Sequence, residues 1–246
     1  MRSGSKSAVI LQARDHALSD ALKLFRFLTV EQVCRLGAFR TQSRARARLA
    51  QLCAAGVVVR FYVGTIKGGR RAVFALPGEL RSRYRSSDLA SLDRERFIIH
   101  YLAVNDICLG AIGDAAVAAR VERIDRPIPT DSGVLPDGFI VTDMPRKLGV
   151  FLEVDLGTES MTVWRQKAAK YLQLARSSYC SARFGPLSFR VAVVAEPEDR
   201  IEAIRRVISS ETNSVFWLAN TTTIKREGFW GAVWRRPLGD QLLSLQ

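Results

Sequence analysis

Residues 135–155 read LPDGFIVTDMPRKLGVFLEVD and decide how the second half of the chain is interpreted. Two apolar runs, GFIVTD and GVFLEVDL, flank a turn near DMPRKLG, which is the pattern of a β-hairpin. Side chains alternate along a strand, so one face of the second strand carries Phe151, Glu153 and Asp155. The other face, which we expect to be the better core face, carries Leu152, Val154 and Leu156.

The two carboxylates on this strand have no packing role that the apolar pattern explains. Carboxylates on one strand face repel each other, which costs stability unless a cation binds between them. Asp137 follows Pro136 at the start of the preceding strand, and hairpin pairing would bring it close. Oxygen ligands suit Mg²⁺ or Mn²⁺, so the sequence predicts a metal site formed by Asp137, Glu153 and Asp155.

A helix follows this strand and places a lysine on its apolar side. Thr158 or Ser160 caps it, and it continues through TVWRQKAAKYLQLAR. At 100° per residue Lys167 lies in the middle of the apolar sector, whereas Lys170 lies at its edge. A lysine on a buried face must reach solvent or meet anions, and the strand carboxylates are the natural candidates. A purely structural Lys–Glu pair is the alternative.

Net charge is concentrated in the first third of the chain. Residues 1–86 contain 17 Lys and Arg against four Asp and Glu, whereas residues 87–246 contain 20 of each sign, so the formal charge of +13 lies in the first segment. A concentrated basic segment usually binds a polyanion, most often nucleic acid; a solvated basic surface is the alternative. We therefore predict a DNA-binding domain at 1–86, including a basic linker, and a second domain at 87–246.

The basic segment has the element order of a winged helix-turn-helix. Three short helical patterns are followed by VVVRFYV, a Gly-rich basic turn GTIKGGR, and RAVFALP. In that fold the third helix, here about Thr41 to Ala55, enters the major groove and the hairpin contacts the backbone. The DNA-contacting residues that we expect are Arg40, Arg44, Arg48, Gln51, Lys67, Arg70 and Arg71. A winged helix used only for protein contacts is the alternative.

The remaining patterns indicate fold class and environment. From Leu92 onward a helix, three strands, a helix, a strand, a helix and a strand predict an α/β (α+β) fold with a mixed sheet. No CxxC pattern joins the cysteines, so neither a zinc site nor a disulfide framework is indicated. No apolar run approaches a membrane span, and the N-terminus lacks the apolar core of a secretory signal. We expect a cytoplasmic protein without membrane insertion.

The acidic pattern resembles a known nuclease fold. A PD pair, ExD on a strand and a lysine on the next helix look like the restriction-endonuclease-like PD-(D/E)xK fold. The usual lysine position is Asp155 here, and Lys167 would be a displaced lysine. The resemblance implies a catalytic set of Asp137, Glu153, Asp155 and Lys167, with the three acids as metal ligands.

The wider pattern is similar to the replication-relaxation family and to the MobC-class mobilisation relaxases of plasmids. It consists of HYLAVNDICLGAI, LPDG, FLEVDLGTES and KAAKY behind the winged helix. The resemblance implies a Mg²⁺- or Mn²⁺-dependent nick in double-stranded DNA at a plasmid transfer origin. Strand transfer would then involve accessory mobilisation and coupling proteins. His100, Asn105 and Asp106 match the family's first-helix motif, but the sequence gives them no role.

Two rival interpretations remain at this point. Relaxases that bind metal through three histidines are excluded, because the chain has only His16 and His100. A covalent route through Tyr171 or Tyr179 stays open, although Tyr171 lies in the apolar sector of its helix. The main rival is a non-catalytic, winged-helix DNA-binding regulator of plasmid replication or transfer.

Overall fold

The computed structural model describes residues 9–65, 68–79, 91–113, 121–125, 130–143, 146–185 and 188–245. The chain divides into two compact units, Met1–Leu109 and Gly110–Gln246. Helices and strands are mixed throughout, which confirms the predicted α/β class.

The first unit begins with three helices and a three-stranded sheet. Its elements are α1 (Ala13–Phe25), β1 (Leu28–Thr29), α2 (Val30–Arg35), α3 (Gln42–Ala54), β2 (Val59–Gly64) and β3 (Arg70–Ala75). The strand order is β1-β3-β2, and both pairings are antiparallel. Three helices and a hairpin lie where the sequence predicts them, and the two-residue strand β1 is an addition. Thr29 and Gln32 form a capping box at the start of α2.

Helix α4 (Ser91–Gly113) completes the core of the first unit. Its residues Ile98, Tyr101 and Leu102 are buried in one cluster with Phe27 and apolar side chains of β2 and β3. The compact unit therefore extends to Leu109, beyond the domain boundary predicted after residue 86. The reason is that apolar side chains of α4 share one buried cluster with the small sheet.

The first-helix motif has a structural role that the sequence did not reveal. The Asn105 amide donates hydrogen bonds to the carbonyl oxygens of Phe25 (3.2 Å) and Phe27 (2.5 Å). Asp106 accepts hydrogen bonds from Gln32 and Arg35, each at 3.0 Å. These contacts satisfy the backbone at the end of α1 and fix α4 to α2.

Helix α4 is also the one helix in the described part of the chain whose length and composition would allow it to cross a membrane. The sequence analysis expected no such segment. The core helix of a soluble protein passes the same test, and Ile98 and Leu102 are 3% and 5% exposed within the first unit. We therefore interpret α4 as a core helix.

The second unit is built on a mixed five-stranded sheet. Its strands are β4 (Val121–Asp125), β5 (Gly138–Asp143), β6 (Lys147–Asp155), β7 (Ser188–Ala195) and β8 (Phe216–Asn220). Its helices are α5 (Met161–Arg176), α6 (Tyr179–Phe184), α7 (Glu198–Ser209) and α8 (Thr221–Glu227). The strand order is β4-β5-β6-β7-β8, antiparallel from β4 to β6 and parallel from β6 to β8.

The β5–β6 hairpin lies where the sequence predicts it, with Asp143 paired to Lys147. The predicted core face holds for Leu152 and Val154, which are 0% and 6% exposed, but the opposite face is buried as well. The face that carries Phe151 belongs to an apolar cluster of the unit, together with residues of α5 and α7. Leu156, expected in the core, is 43% exposed. Helices of the parallel crossovers cover the carboxylate face, so Glu153 and Asp155 are buried at 1% and 2% exposure.

Candidate active site and nucleic-acid interface

Glu153 lies at the centre of the candidate active site. It is in the middle of the sheet on β6, and α5 covers its side chain. Its Oε2 accepts a hydrogen bond from Lys167 Nζ at 2.7 Å, and its Oε1 accepts one from Tyr171 OH at 2.6 Å. Both partners lie on α5, four residues apart, so a single helix face supplies both donors.

Lys167 connects Glu153 to a second carboxylate. Ser160 caps α5 through the Val163 amide, which sets the rotation of the helix. Lys167 Nζ donates to Glu159 Oε1 at 2.7 Å as well as to Glu153. Its side chain is 19% exposed, so the ammonium lies at the edge of the buried region. Lys170 is exposed and donates to the Gly133 carbonyl at 3.2 Å, as its position at the sector edge predicts.

Asp137 is held beside Glu153 by the hairpin. Its backbone amide donates to the Leu152 carbonyl at 2.9 Å. Its Oδ2 accepts the Val154 amide at 2.8 Å, one residue beyond Glu153. Pairing of β5 with β6 therefore brings the PD carboxylate to the ExD segment, as the sequence suggested.

Burial and charge change the acid–base behaviour of this group. Burial raises the pKa of Glu153, Lys167 offsets part of the rise and the nearby Asp137 charge adds to it, so that the pKa of Glu153 is about 7. Burial opposes the charged form of Lys167, but Glu153 and Glu159 outweigh it and raise the Lys167 pKa. Burial and the Glu153 charge also raise the pKa of Tyr171 well above its ordinary value. At neutral pH Lys167 is a cation and Tyr171 a neutral phenol.

Asp155 does not join this group, and its predicted place among the metal ligands needs correction. Its Oδ2 accepts hydrogen bonds from the Trp164 indole at 2.7 Å and from Arg200 at 2.5 Å, and its Oδ1 accepts the Gly157 amide. In the described part of the chain it does not converge with two other acids on one point, and its charge is balanced by Arg200. Asp155 therefore closes a buried ion pair with Arg200, a structural role.

Glu159 is the residue of this site that sequence reasoning missed. It directly precedes Ser160, the N-cap of α5, in the segment GTES, where an acidic residue is typical of a helix N-terminus. Its Oε1 contacts Lys167, while its Oε2 is buried without a hydrogen-bond partner. The sequence signal that could have identified Glu159 was its position two residues after Gly157, where the chain makes a tight turn.

The positions of the acidic side chains permit a partial test of the predicted metal site. No three His, Cys, Asp or Glu side chains converge on one point in the part of the chain that the structure describes. The buried Glu153 carboxylate, with the Asp137 charge beside it, fits a divalent cation because such an ion would relieve their repulsion. Asp137 and Glu153 are therefore the acids that fit Mg²⁺ or Mn²⁺, and the structure does not gather Asp155 with them into a three-acid site among the described residues.

The candidate nucleic-acid interface lies on the first unit. Helix α3 buries Ala45, Leu49 and Leu52 and leaves Arg44 exposed on its other side. Arg40 and Gln51 are exposed as well. The apolar side of α3 is therefore buried, and its exposed side carries predicted DNA-contacting residues.

Arg48 has a different role from the predicted one. Its guanidinium makes two hydrogen bonds to the buried Asp15, at 3.0 Å and 2.5 Å. It also donates to the Ile10 carbonyl at 2.8 Å and to Gln51 at 2.9 Å. Because these partners occupy its donors, Arg48 ties α3 to α1 and is not free to contact DNA as predicted.

The hairpin adds basic and aromatic side chains. Arg70 and Arg71 are exposed and line a cleft of about 300 Å³ together with Arg46 and Glu31. On the hairpin's outer face Tyr62 is 45% exposed, and the guanidinium carbons of Arg60 and Arg70 each lie 5.7 Å from its ring centroid. Sequence reasoning did not single out Arg46, Arg60 or Tyr62. Lys67, predicted to contact phosphate, lies outside the described residues.

Comparison with known proteins now gives the family. The replication-relaxation family model matches residues 20–187, which is more than half of the chain. The chain belongs to the replication-relaxation family. The match contains α3, the hairpin and all of the acidic site, and membership indicates a role in plasmid replication or transfer. No curated protein and no solved structure matches the chain.

Proposed function

We propose that this protein is a plasmid mobilisation relaxase of the MobC class, a metal-dependent endonuclease that nicks one DNA strand at a transfer origin in the cytoplasm. The second unit would be a PD-(D/E)xK nuclease domain with a displaced lysine. The observation that carries the proposal is the placement of Lys167 Nζ at 2.7 Å from both Glu153 and Glu159, with the Asp137 charge acting on Glu153. Packing alone gives no reason for two carboxylates around one cation, and a third carboxylate near the first, at the edge of a core.

DNA recognition would belong to the first unit, acting as a winged helix-turn-helix. Helix α3 presents Arg44 for the major groove, and the hairpin presents Arg70 and Arg71 to backbone phosphates. Arg46 lines the cleft beside the hairpin and replaces Arg48 among the proposed contacts. The formal charge of residues 1–86 supplies the salt-dependent part of the affinity.

The acidic site would carry the chemistry. Mg²⁺ or Mn²⁺ held by Asp137 and Glu153 would lower the pKa of a bound water and neutralise charge on the scissile phosphate. Lys167 keeps its positive charge there and is placed to stabilise the negative charge that builds on phosphate oxygens. Tyr171 orients Glu153 through its hydroxyl. Because Tyr171 is a buried neutral phenol, it is poorly suited to attack DNA, which favours hydrolysis over a covalent route through Tyr171.

A second candidate function is the non-catalytic regulator. The observation in its favour is that protein groups already neutralise the carboxylates, since Lys167 pairs with Glu153 and Arg200 with Asp155. A domain that only binds DNA or a partner would keep such pairs as structural elements.

Nicking of supercoiled plasmid DNA tests the proposal. Purified protein with Mg²⁺ or Mn²⁺ should convert supercoiled circles into open circles, and EDTA should stop the conversion. The cut should map to one position on one strand. DNA binding with no open circles in either metal, on the plasmid that encodes the protein, would favour the regulator.

A further inference from the structure

Two arginines of the second unit share one tryptophan ring. Arg190 lies on β7, Trp217 on β8, and Arg236 in the segment after α8. The guanidinium carbons of Arg190 and Arg236 lie 4.3 Å and 5.0 Å from the ring centroid of Trp217. Ala192 pairs with both Leu152 and Trp217, which places this cluster on the sheet face opposite Glu153.

Neither guanidinium has a counter-ion in the described part of the chain. Arg190 makes one long hydrogen bond, 3.5 Å to the Ser244 carbonyl. Arg236 donates to the Asn213 carbonyl, and its Nε is buried without a partner. By contrast, the preceding residue, Arg235, pairs with Glu198 and Glu202.

This arrangement is electrostatically costly in the free protein. Burial lowers the pKa of Arg190, and the neighbouring charge of Arg236 lowers it further. Two half-buried cations close together repel each other unless an anion lies between them. The indole ring attracts each cation through its π face but carries no net charge, so it does not neutralise them.

We infer that Arg190 and Arg236 form a phosphate-binding site through which the second unit contacts the DNA backbone. Guanidinium groups match phosphate in shape and bind it through two parallel hydrogen bonds. The indole of Trp217 is only 7% exposed, so it cannot stack on a base and instead holds the two arginines in place. The site therefore takes a phosphate rather than a nucleobase. The inference rests on the proposed function for the identity of the polyanion.

The salt dependence of DNA binding tests the site in the full-length protein. In Arg190→Gln/Arg236→Gln, the slope of log K against log of salt concentration for duplex DNA should fall by about 2, near 0.9 for each lost phosphate contact. The matched control is Arg176→Gln/Arg206→Gln, which removes the same charge. Both control residues are exposed, on α5 and α7, which cover the opposite face of the sheet. Its slope should stay close to that of the wild type.

Several outcomes would overturn the site. An unchanged slope in the Arg190/Arg236 variant means that the arginines only cover the indole. An equal fall in the control means that net charge, and not this site, is responsible. If the double variant does not fold, Arg236→Gln alone should lower the slope by about 1, and no fall there also contradicts the site. Because nicking is measured separately, failure here leaves the proposed function intact.

Discussion

The ammonium of Lys167 lies 2.7 Å from a carboxylate oxygen of Glu153, on the helix that follows its strand. The displaced lysine predicted from the sequence therefore reaches the strand carboxylate. Replacing Lys167 by Ala should lower the single-turnover nicking rate by roughly 10² or more, the scale for losing one stabiliser of transition-state charge. Lys170→Ala is the matched control, since Lys170 is exposed and contacts only a carbonyl in the described structure. Equal rates for the two variants would remove Lys167 from the proposed chemistry.

Glu159 should prove to be a positioning residue for Lys167. Glu159→Gln removes one of the two carboxylates that hold the ammonium, and supporting partners of this kind contribute roughly 10–100-fold to activity. We expect a fall of that size in nicking, with DNA affinity unchanged. Glu211→Gln, which removes a carboxylate paired with the exposed Arg165, should leave nicking unaffected. A rate loss that Glu159→Asp fails to restore even partly would argue against a role through charge.

Asp155 should matter for stability more than for chemistry. Asp155→Asn leaves Arg200 half-buried without its counter-charge, which should lower the free energy of unfolding by about 3 kcal/mol. Urea denaturation followed by circular dichroism measures this change. The folded variant should still nick DNA faster than Glu153→Ala. If it keeps wild-type stability and loses all nicking, Asp155 belongs to the catalytic group after all.

Substitutions at Arg48 and Arg44 should distinguish a residue that stabilises the fold from one that recognises DNA. Arg48→Ala breaks a bidentate pair with the buried Asp15 and should lower the Tm of the protein. Arg44→Ala removes an exposed side chain, so it should leave the Tm unchanged and weaken binding to preferred DNA sites more than to random DNA. Differential scanning fluorimetry and competitive binding assays measure the two effects. A drop in Tm for Arg44→Ala, with none for Arg48→Ala, would reverse the assignment.

The Asp15–Arg48 pair also predicts a pH dependence of stability. Its hydrogen bonds from Arg48 hold the pKa of Asp15 below its ordinary value, against the opposing effect of burial. The ionised form is thus favoured in the folded state, so its stabilisation is fully present above the unfolded-state pKa near 4. It is lost as pH falls through the lower folded-state pKa. The Tm difference between wild type and Asp15→Asn should therefore be large at pH 7 and shrink below pH 4. A Tm difference that stays constant with pH would exclude the ionisation of Asp15 as the source of this stabilisation.

Local patterns predicted much of the architecture, because periodicity and turn residues act over a few neighbouring residues. The β5–β6 hairpin, the Ser160 cap and the position of Lys167 on α5 are of this kind. The errors arose where a distant residue decides the outcome. Asp155 is held by Arg200, 45 residues later, and Arg48 by Asp15, 33 residues earlier. No spacing rule connects such partners before the chain is folded.

The incomplete prediction of the core face has a similar physical origin. Alternation along β6 assigns Leu152 and Glu153 to opposite faces, but it does not say which face the helices cover. In the structure both faces are covered, and a lysine and a tyrosine from α5 supply the hydrogen bonds that allow Glu153 to be buried. The carboxylates could be found from the sequence because they were unexpected in an apolar strand. The hydrogen-bond donors that offset the cost of burying them could not be found in this way.

The most direct test of the central claim is the nicking activity of Glu153→Ala on supercoiled DNA in Mg²⁺ or Mn²⁺. If Glu153 is the central carboxylate of a nuclease site, this variant should produce no open circles above the EDTA background. It should bind duplex DNA nearly as tightly as the wild type, because the first unit carries the recognition helix. Glu202→Ala, on the surface of α7, is the control and should nick normally. Nicking by Glu153→Ala at the wild-type rate would contradict the account.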